Sequence, residues 1–289
     1  MTDLTTARSP EQVRTGWDRI AGRFDRSVTP WNTLFAGDAL RRAGLAPGMR
    51  LLDVGTGTGA LAIAGARMGA EVLGVDIAPA MVSRLAAWAA EEGLGHLEAR
   101  AMDGQDLDLP DAGFELVASQ HGVSLFPDAA RGLAEMARVT RPGGKVVVVA
   151  FGPPPRAEFI SFVLGALQAA VPGFRGLPSD PPPLPFQFAD PGRLRAAMEA
   201  AGLVDAAVEA VTWHLPVATA ADLWTVFTSS NPIGQALVAD LSPSERGDAL
   251  EVLDGMLAER AQESGFAWVT PGRPAAVLGS AVNIGIGTR

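Results

Sequence analysis

A chain of 289 residues that is 48% hydrophobic can bury one large α/β core with material left for a cap. Its net charge of −9, with Lys145 the one lysine and the arginines scattered, argues against a nucleic-acid substrate, which needs a basic patch. Without cysteine there are no disulfides, thiolate nucleophiles or Cys-ligated metals; a polar start (residues 1–11) and the lack of any long apolar run point to a cytoplasmic protein without a membrane span.

Residues 12–44 read as one or two helices. Val13, Trp17, Ile20 and Phe24 recur at helical spacing, followed by Trp31, Leu34, Phe35 and Leu40, with Pro30 breaking the run. The aromatic stripe suits core packing or a binding wall. An apolar strand follows and ends in Gly55-Thr56-Gly57-Thr58-Gly59, after which an Ala-rich helix covers 60–67. Glycines permit positive φ and close backbone approach, and the helix start offers free N–H groups to an anionic part of a nucleotide-like ligand. The stretch 55–60 meets the dinucleotide pattern G-x-G-x-x-G/A. Asp53, two residues before the first glycine, is a poor neighbour for a pyrophosphate and a good one for a cationic amino group.

A second strand, 71–75, ends at Asp76, about 20 residues past the glycines, where a carboxylate reaches a ribose diol. A helix starts there, through Ile77 and Met81, with Pro79 in its first turn. A third strand, 96–101, leads into Asp103-Gly104-Gln105; Asp106, Asp108 and Asp111 read as solvated loop acids without EF-hand spacing. The fourth strand spans 109–119, and its end, Ser119-Gln120-His121-Gly122, should face the crevice beyond the strand C-termini. A helix to Val139, the phrase Arg141-Pro142-Gly143-Gly144 and a fifth strand, 145–151, complete this half.

Residues 152–190 leave the sheet pattern, with an apolar helix at 158–171 and prolines from 178 to 185. A helix at 191–201, a sixth strand within 203–217, helices at 220–227, 232–241 and 244–261 (capped by Ser242 or Ser244) and a seventh strand at 277–286 follow. The two excursions read as a substrate cap or, alternatively, as a homodimer surface. Phe159, Phe162, Phe174, Phe186, Phe188, Trp213, Trp224 and Phe227 would give the cap an aromatic pocket.

Four segments in order, Asp53-x-Gly55-x-Gly57-x-Gly59, Asp76, Asp103-Gly104 and Glu135-Met136-x-Arg138-Val139-x-Arg141-Pro142-Gly143-Gly144, resemble the class I S-adenosylmethionine (SAM) dependent methyltransferases. The last is similar to the subgroup that includes ubiquinone and menaquinone biosynthesis methyltransferases. Trp17-x-x-x-Ala21-x-x-Phe24-Asp25 resembles that family's N-terminal arm motif, with Phe24 where a tyrosine is common. The resemblance covers residues 12–151. It implies an α/β, Rossmann-like sheet of seven mostly parallel strands, helices on both faces, and the last strand antiparallel between the fifth and sixth. The implied organisation is a helical arm (1–45), a SAM-binding core (46–151), a cap insertion (152–190), core again (191–218), a helical cap insertion (219–265) and a last core strand (266–289).

The resemblance also implies the cofactor, SAM, with S-adenosylhomocysteine as product. The family's pattern lays Phe24, Asp53, Gly55, Thr56, Gly57, Gly59, Asp76, Ile77, Met81, Asp103, Gly104, Gln105, Ser119 and Gln120 against it. His121 is the candidate general base, with an ordinary pKa of about 6.5 that suits the role; a packed or cofactor-contacting histidine is the alternative, and His214 is the second candidate for the base. Trp17, Trp31, Phe151, His214, Trp224 and Asn231 are the expected acceptor contacts, and His96 is expected to be structural. Three histidines without H-E-x-x-H spacing speak against a metal, and the absence of G-x-S-x-G against a hydrolase. The reading is methyl transfer to an O, N or C atom of a small apolar or aromatic metabolite. A SAM-binding cyclase, decarboxylase or hydroxylase on the same fold is the alternative, and a nicotinamide-dependent oxidoreductase a more distant one.

Overall fold

The computed structural model describes residues 9–177, 182–263, 267–270 and 273–289. Parts of the expected arm (1–8), of the first cap insertion (178–181) and of the segment before the last strand (264–266, 271–272) lie outside the described residues. Two helices open the chain, α1 (Pro10–Ser27) and α2 (Thr29–Ala43), and they meet at Val28. Pro30 sits in the first turn of α2, where its missing N–H costs nothing, so the break falls just before the proline. Ser9 caps α1 in a capping box with Gln12, and Gly44 ends α2 in the left-handed conformation.

The core alternates strand and helix: β1 (Arg50–Val54), α3 (Ala60–Arg67), β2 (Glu71–Asp76), α4 (Pro79–Glu91), β3 (Leu97–Ala101), β4 (Phe114–Gln120), α5 (Ala129–Val139) and β5 (Thr140–Phe151). The second half supplies α6 (Glu158–Ala170), α7 (Pro191–Ala200), β6 (Val204–Val217), α8 (Ala220–Ser230), α9 (Pro232–Leu237), α10 (Pro243–Glu263), β7 (Ala267–Thr270) and β8 (Arg273–Thr288). The main sheet runs β3-β2-β1-β4-β5-β8-β6. The five strands from β3 to β5 are mutually parallel, and β8 lies antiparallel between β5 and β6, as the sequence reading expects. The short β7, which the sequence reading does not contain, pairs with β8 off that path.

Both faces of this sheet are buried, and the side-chain alternation of a strand sorts its residues between them. Leu51, Val147 and Val149 pack with Leu40, Ile63 and Leu85 from α2, α3 and α4. Leu52, Val146 and Val148 pack on the other side with Leu133 and Met136 of α5 and Leu194 and Met198 of α7. Each such fully buried aliphatic side chain contributes roughly 1.5–3 kcal/mol by leaving water.

Strand order reverses between β1 and β4, which opens a crevice at their C-terminal ends. Beyond Phe151 of β5, β6 and β8 continue as a two-stranded extension, from Thr212↔Ala281 to Val217↔Ala276. On that extension α6, α8 and α10 build a second apolar core with Phe159, Val163, Leu223, Trp224, Phe227, Leu253 and Leu257. Both excursions of the sequence reading therefore pack together above the crevice. Ser242 caps α10: its hydroxyl accepts the Glu245 N–H and the Glu245 carboxylate accepts the Ser242 N–H. Among the described residues no helix is long and apolar enough to cross a membrane.

Candidate active site

One cavity of about 1370 Å³ of empty space, open at its mouth, lies over the crevice between the sheet ends, α1, α2 and the cap. Its floor at one end is the glycine turn. Gly55 adopts φ +70°, and a Cβ there would lie 2.9 Å from Cα of Gly122, so the turns after β1 and β4 touch only because both residues lack side chains. Gly59 (φ +99°) leads into α3 and, having no side chain, offers it no cap; the Ala62 N–H of the first turn is taken by Asp53 instead.

The acids expected at this turn take different places. Asp76, at the end of β2, lines the cavity; its Oδ2 accepts the Gly57 N–H and its Oδ1 the Ala78 N–H, both at 2.9 Å. Burial lifts its pKa to about 6 against those two bonds, with Asp18 of α1 adding like-charge repulsion. Asp53 is 1% exposed and sits behind the turn rather than on the cavity wall. Its Oδ2 accepts the Thr56 hydroxyl at 2.6 Å and the Ala62 N–H at 3.0 Å, which ties the strand end to the turn and to α3. Burial raises Asp53 to about 7 despite those bonds. Thr56 and Gly59 likewise shape the turn from behind, while Gly55 and Gly57 line the cavity.

Ile77, Met81, Asp103, Gly104 and Gln105 line the same end. Asp103 Oδ1 accepts the Gln105 N–H at 2.9 Å, and Gln105 Oε1 accepts the Asp128 N–H at 2.8 Å. The loop that carries them is anchored by Arg138, whose guanidinium donates to Glu135, to the Leu107 and Leu109 carbonyls and to Asp111. Glu135 in turn accepts the Leu107 N–H, and the Arg138 guanidinium holds its carboxyl below the usual range. The Glu135–Arg138 signature thus acts at a distance, by fixing the Asp103 loop.

Ser119 and Gln120, expected at the ligand, do not line the cavity; Ser119 is bonded inside the protein, and Gln120 Oε1 is buried without a partner. The Ser119 hydroxyl donates to the Val54 carbonyl at 2.7 Å and accepts the Val123 N–H, and Gln120 donates to the Asn32 carbonyl at 3.1 Å. His121 lines the cavity, with φ at +61°, the left-handed region that a histidine adopts more readily than a branched residue. Its ring stacks on Phe151 with centroids 4.1 Å apart and meets the edge of Trp213. Burial pulls its pKa down to about 4, so it is neutral at pH 7. His96 is structural, its Nε2 facing the Ala66 carbonyl at 2.9 Å.

The arm forms the outer wall. Trp17 and Phe24 line the cavity beside the glycine turn and meet edge-to-face, and Trp31 lines it from α2. The Trp88 indole donates to Asp25 at 2.7 Å, Asp18 accepts the Ala80 N–H at 2.9 Å, and the hydroxyls of Thr29 and Thr58 bond to each other. Phe151 and Asn231 are brought to the second end of the cavity, whereas His214 and Trp224 are not. The alternation of β6 turns the exposed His214 away and points its neighbours Trp213 and Leu215 inward. Trp224 is buried in the cap's own core. Sequence reasoning also missed Asn32, Phe35 and Phe126 as lining residues, whereas Gly122 faces the crevice as expected. For Phe35 the signal was there, one helical turn beyond Trp31. Among the described residues, no cluster of three or more His, Asp or Glu could hold a metal ion.

Fold and site together define an α/β protein with a nucleoside-type crevice at a strand-order reversal. Residues 52–148 match the family described as a methyltransferase domain. Nocamycin O-methyltransferase of Saccharothrix syringae is 37% identical over 155 residues, 53% of this chain and 55% of that protein. The demethylmenaquinone methyltransferase of Thermus thermophilus is 35% identical over 168 residues, 53% of this chain and 73% of that protein. The YcgJ protein of Bacillus subtilis has the same fold, with a TM-score of 0.52 at 19% identity over 88% of this chain and 97% of its own. The chain belongs to the class I SAM-dependent methyltransferase family, in the group of the menaquinone biosynthesis enzymes. It spans about half the length of the nocamycin relative.

Proposed function

We propose that this chain binds SAM and transfers its methyl group to an O, N or C atom of a small, apolar or aromatic metabolite. The observation that carries the reading is the charge of the cavity wall. Its ionisable groups at the nucleoside end are Asp76 and Asp103, and among the described residues no lysine or arginine lines it anywhere. A dinucleotide's pyrophosphate would meet two carboxylates and no counter-ion, a large penalty at a buried site. Ribose hydroxyls and an adenine amino group donate hydrogen bonds instead, which is what carboxylates accept.

In this reading Asp76 keeps lone pairs free for the ribose diol after its two backbone bonds, and Asp103 takes the adenine amino group. Ile77 and Met81 pack on the base. Gly55 and Gly57 receive the amino-acid end, with Asp53 holding the turn in shape from behind. When bound, the cofactor supplies a methyl carbon on a sulfonium that needs no further activation. The chain's own task is to align an acceptor with that carbon and keep water away. Trp31, Phe35, Phe151 and Phe159 give the second end of the cavity its apolar surface. The arm of residues 1–45 and the cap insertions are read as the walls that close over both ligands.

Separate calorimetric titrations with S-adenosylhomocysteine and with NAD test this. Micromolar binding of the first and none of the second is expected; binding of NAD, or of neither, would overturn the cofactor assignment.

A further inference from the structure

The acceptor end of the cavity carries a run of rings in mutual contact. Phe35 stacks on Trp213 with centroids 4.6 Å apart, Trp213 meets His121 edge-on at 6.4 Å, His121 stacks on Phe151 at 4.1 Å, and Phe151 leans on Phe159 at 5.7 Å. All five line the cavity. A wall built of ring faces and edges is complementary to a flat ring system, because stacked and edge-on contacts both gain from the ring quadrupole. No charged side chain lines this end among the described residues. A carboxylate or phosphate on the acceptor would find no cation, and an ammonium no carboxylate outside the nucleoside end.

Polar groups here differ in whether their bonding capacity is used. Asn231 accepts the Gly234 N–H to cap α9, and Ser230 donates to the Phe227 carbonyl. The His121 backbone N–H donates to the Val149 carbonyl, but its side chain makes no hydrogen bond with any described residue, and its Nδ1 is buried without a partner. The same residue holds a left-handed backbone, at φ +61°. An unspent polar group and a strained backbone on one residue at a cavity wall are two independent marks of a ligand contact.

On the methyl-transfer reading above, we propose that the acceptor is an uncharged, flat ring system that is methylated on a hydroxyl oxygen, with the hydroxyl hydrogen-bonded to a ring nitrogen of His121. As the oxygen–methyl bond forms and the carbon–sulfur pair returns to sulfur, the hydroxyl proton becomes strongly acidic and passes to the imidazole, then to water when the product leaves. A neutral, weakly basic imidazole suffices for that late proton.

Equilibrium dialysis of the S-adenosylhomocysteine-loaded protein against 2-naphthol, naphthalene, 2-naphthoate and 2-naphthylmethylammonium tests the assignment. 2-Naphthol is expected to bind at least tenfold more tightly than the other three. In His121→Phe, which keeps the ring and loses the nitrogens, its advantage over naphthalene should fall below threefold while S-adenosylhomocysteine still binds. His121→Asn, which tolerates the left-handed backbone, serves the same comparison if the phenylalanine variant does not fold. Equal binding of naphthoate or of the ammonium to the wild type, or an unchanged advantage in the variants, overturns the proposal and leaves the cofactor reading standing. Failure of the wild type to load S-adenosylhomocysteine overturns both.

Discussion

Asp76→Asn isolates the contribution of one carboxylate to cofactor binding. In the unliganded protein its two oxygens each accept a backbone N–H at 2.9 Å, from Gly57 and Ala78. Asparagine can satisfy one of these with its carbonyl but sets an NH2 against the other, so the glycine turn loses one bond to a charged acceptor, worth about 1.5–3 kcal/mol. Removing a buried charge recovers part of that, since burial, with Asp18 nearby, lifts Asp76 to about 6 even against its two backbone bonds. Unliganded stability should therefore change little. Ligand binding has no such offset, because the ribose hydroxyls lose a carboxylate and meet a donor. The same 1.5–3 kcal/mol then falls on affinity, which is about 10- to 150-fold in the dissociation constant. Calorimetry at pH 7.5 gives that constant, and thermal melting of the unliganded variant checks the fold. An affinity within twofold of the wild type, in a variant that melts normally, would remove Asp76 from the ribose site.

Two further outcomes follow from the same geometry. With a pKa near 6 in the unliganded fold, Asp76 is ionised above that pH and protonated below it, so S-adenosylhomocysteine affinity, which needs the carboxylate, is lost as pH falls. The expected weakening between pH 7.5 and 5.5 is about fourfold in the wild type and absent in Asp76→Asn; a flat wild-type profile by calorimetry would refute the linkage. Gly59→Ala should destabilise by about 2–5 kcal/mol, combining left-handed strain with overpacking. Its new Cβ would sit 2.2 Å from Cδ1 of the fully buried Leu85. Gly93→Ala, at φ +68° with nothing within 4 Å, carries the backbone cost alone and should melt several degrees higher than Gly59→Ala. Equal melting temperatures would mean that the Leu85 contact relaxes freely.

The glycine-turn end of the cavity was legible because its parts are local. A strand that ends in an acid, or a turn rich in glycine, places its own residues within a few bonds, and the parallel sheet then gathers strand ends at one edge. Asp76, Ile77, Asp103 and Gly104 all come to the cavity that way. What local sequence does not contain is which side of the backbone a group serves. Asp53 has the right position and the wrong exposure, since its bonds run back to Thr56 and Ala62. The acceptor end depends on β6, where a one-residue difference in phase exchanges His214 for Trp213 and Leu215. That phase is set by pairing with β8 some seventy residues later, so no short window carries it. Trp224 was lost for a related reason: the cap has an apolar core of its own, and a large aromatic there serves packing.

The two walls of the cavity are attached to the protein by different means. The cap rides on β6 and β8, which run unbroken from the centre of the sheet into the extension, and Glu158 pins α6 to the Gly279 N–H and to Arg260 of α10. Mechanically it is a cantilever, and bending it means breaking strand ladder. Of the arm, α2 is packed into the sheet core through Ala36, Ala39 and Leu40, whereas α1 rests on α4 through one apolar patch and side-chain bonds from Asp18 and Asp25. One wall of the chamber is thus fastened by backbone ladder, and the other, at α1, by side chains alone.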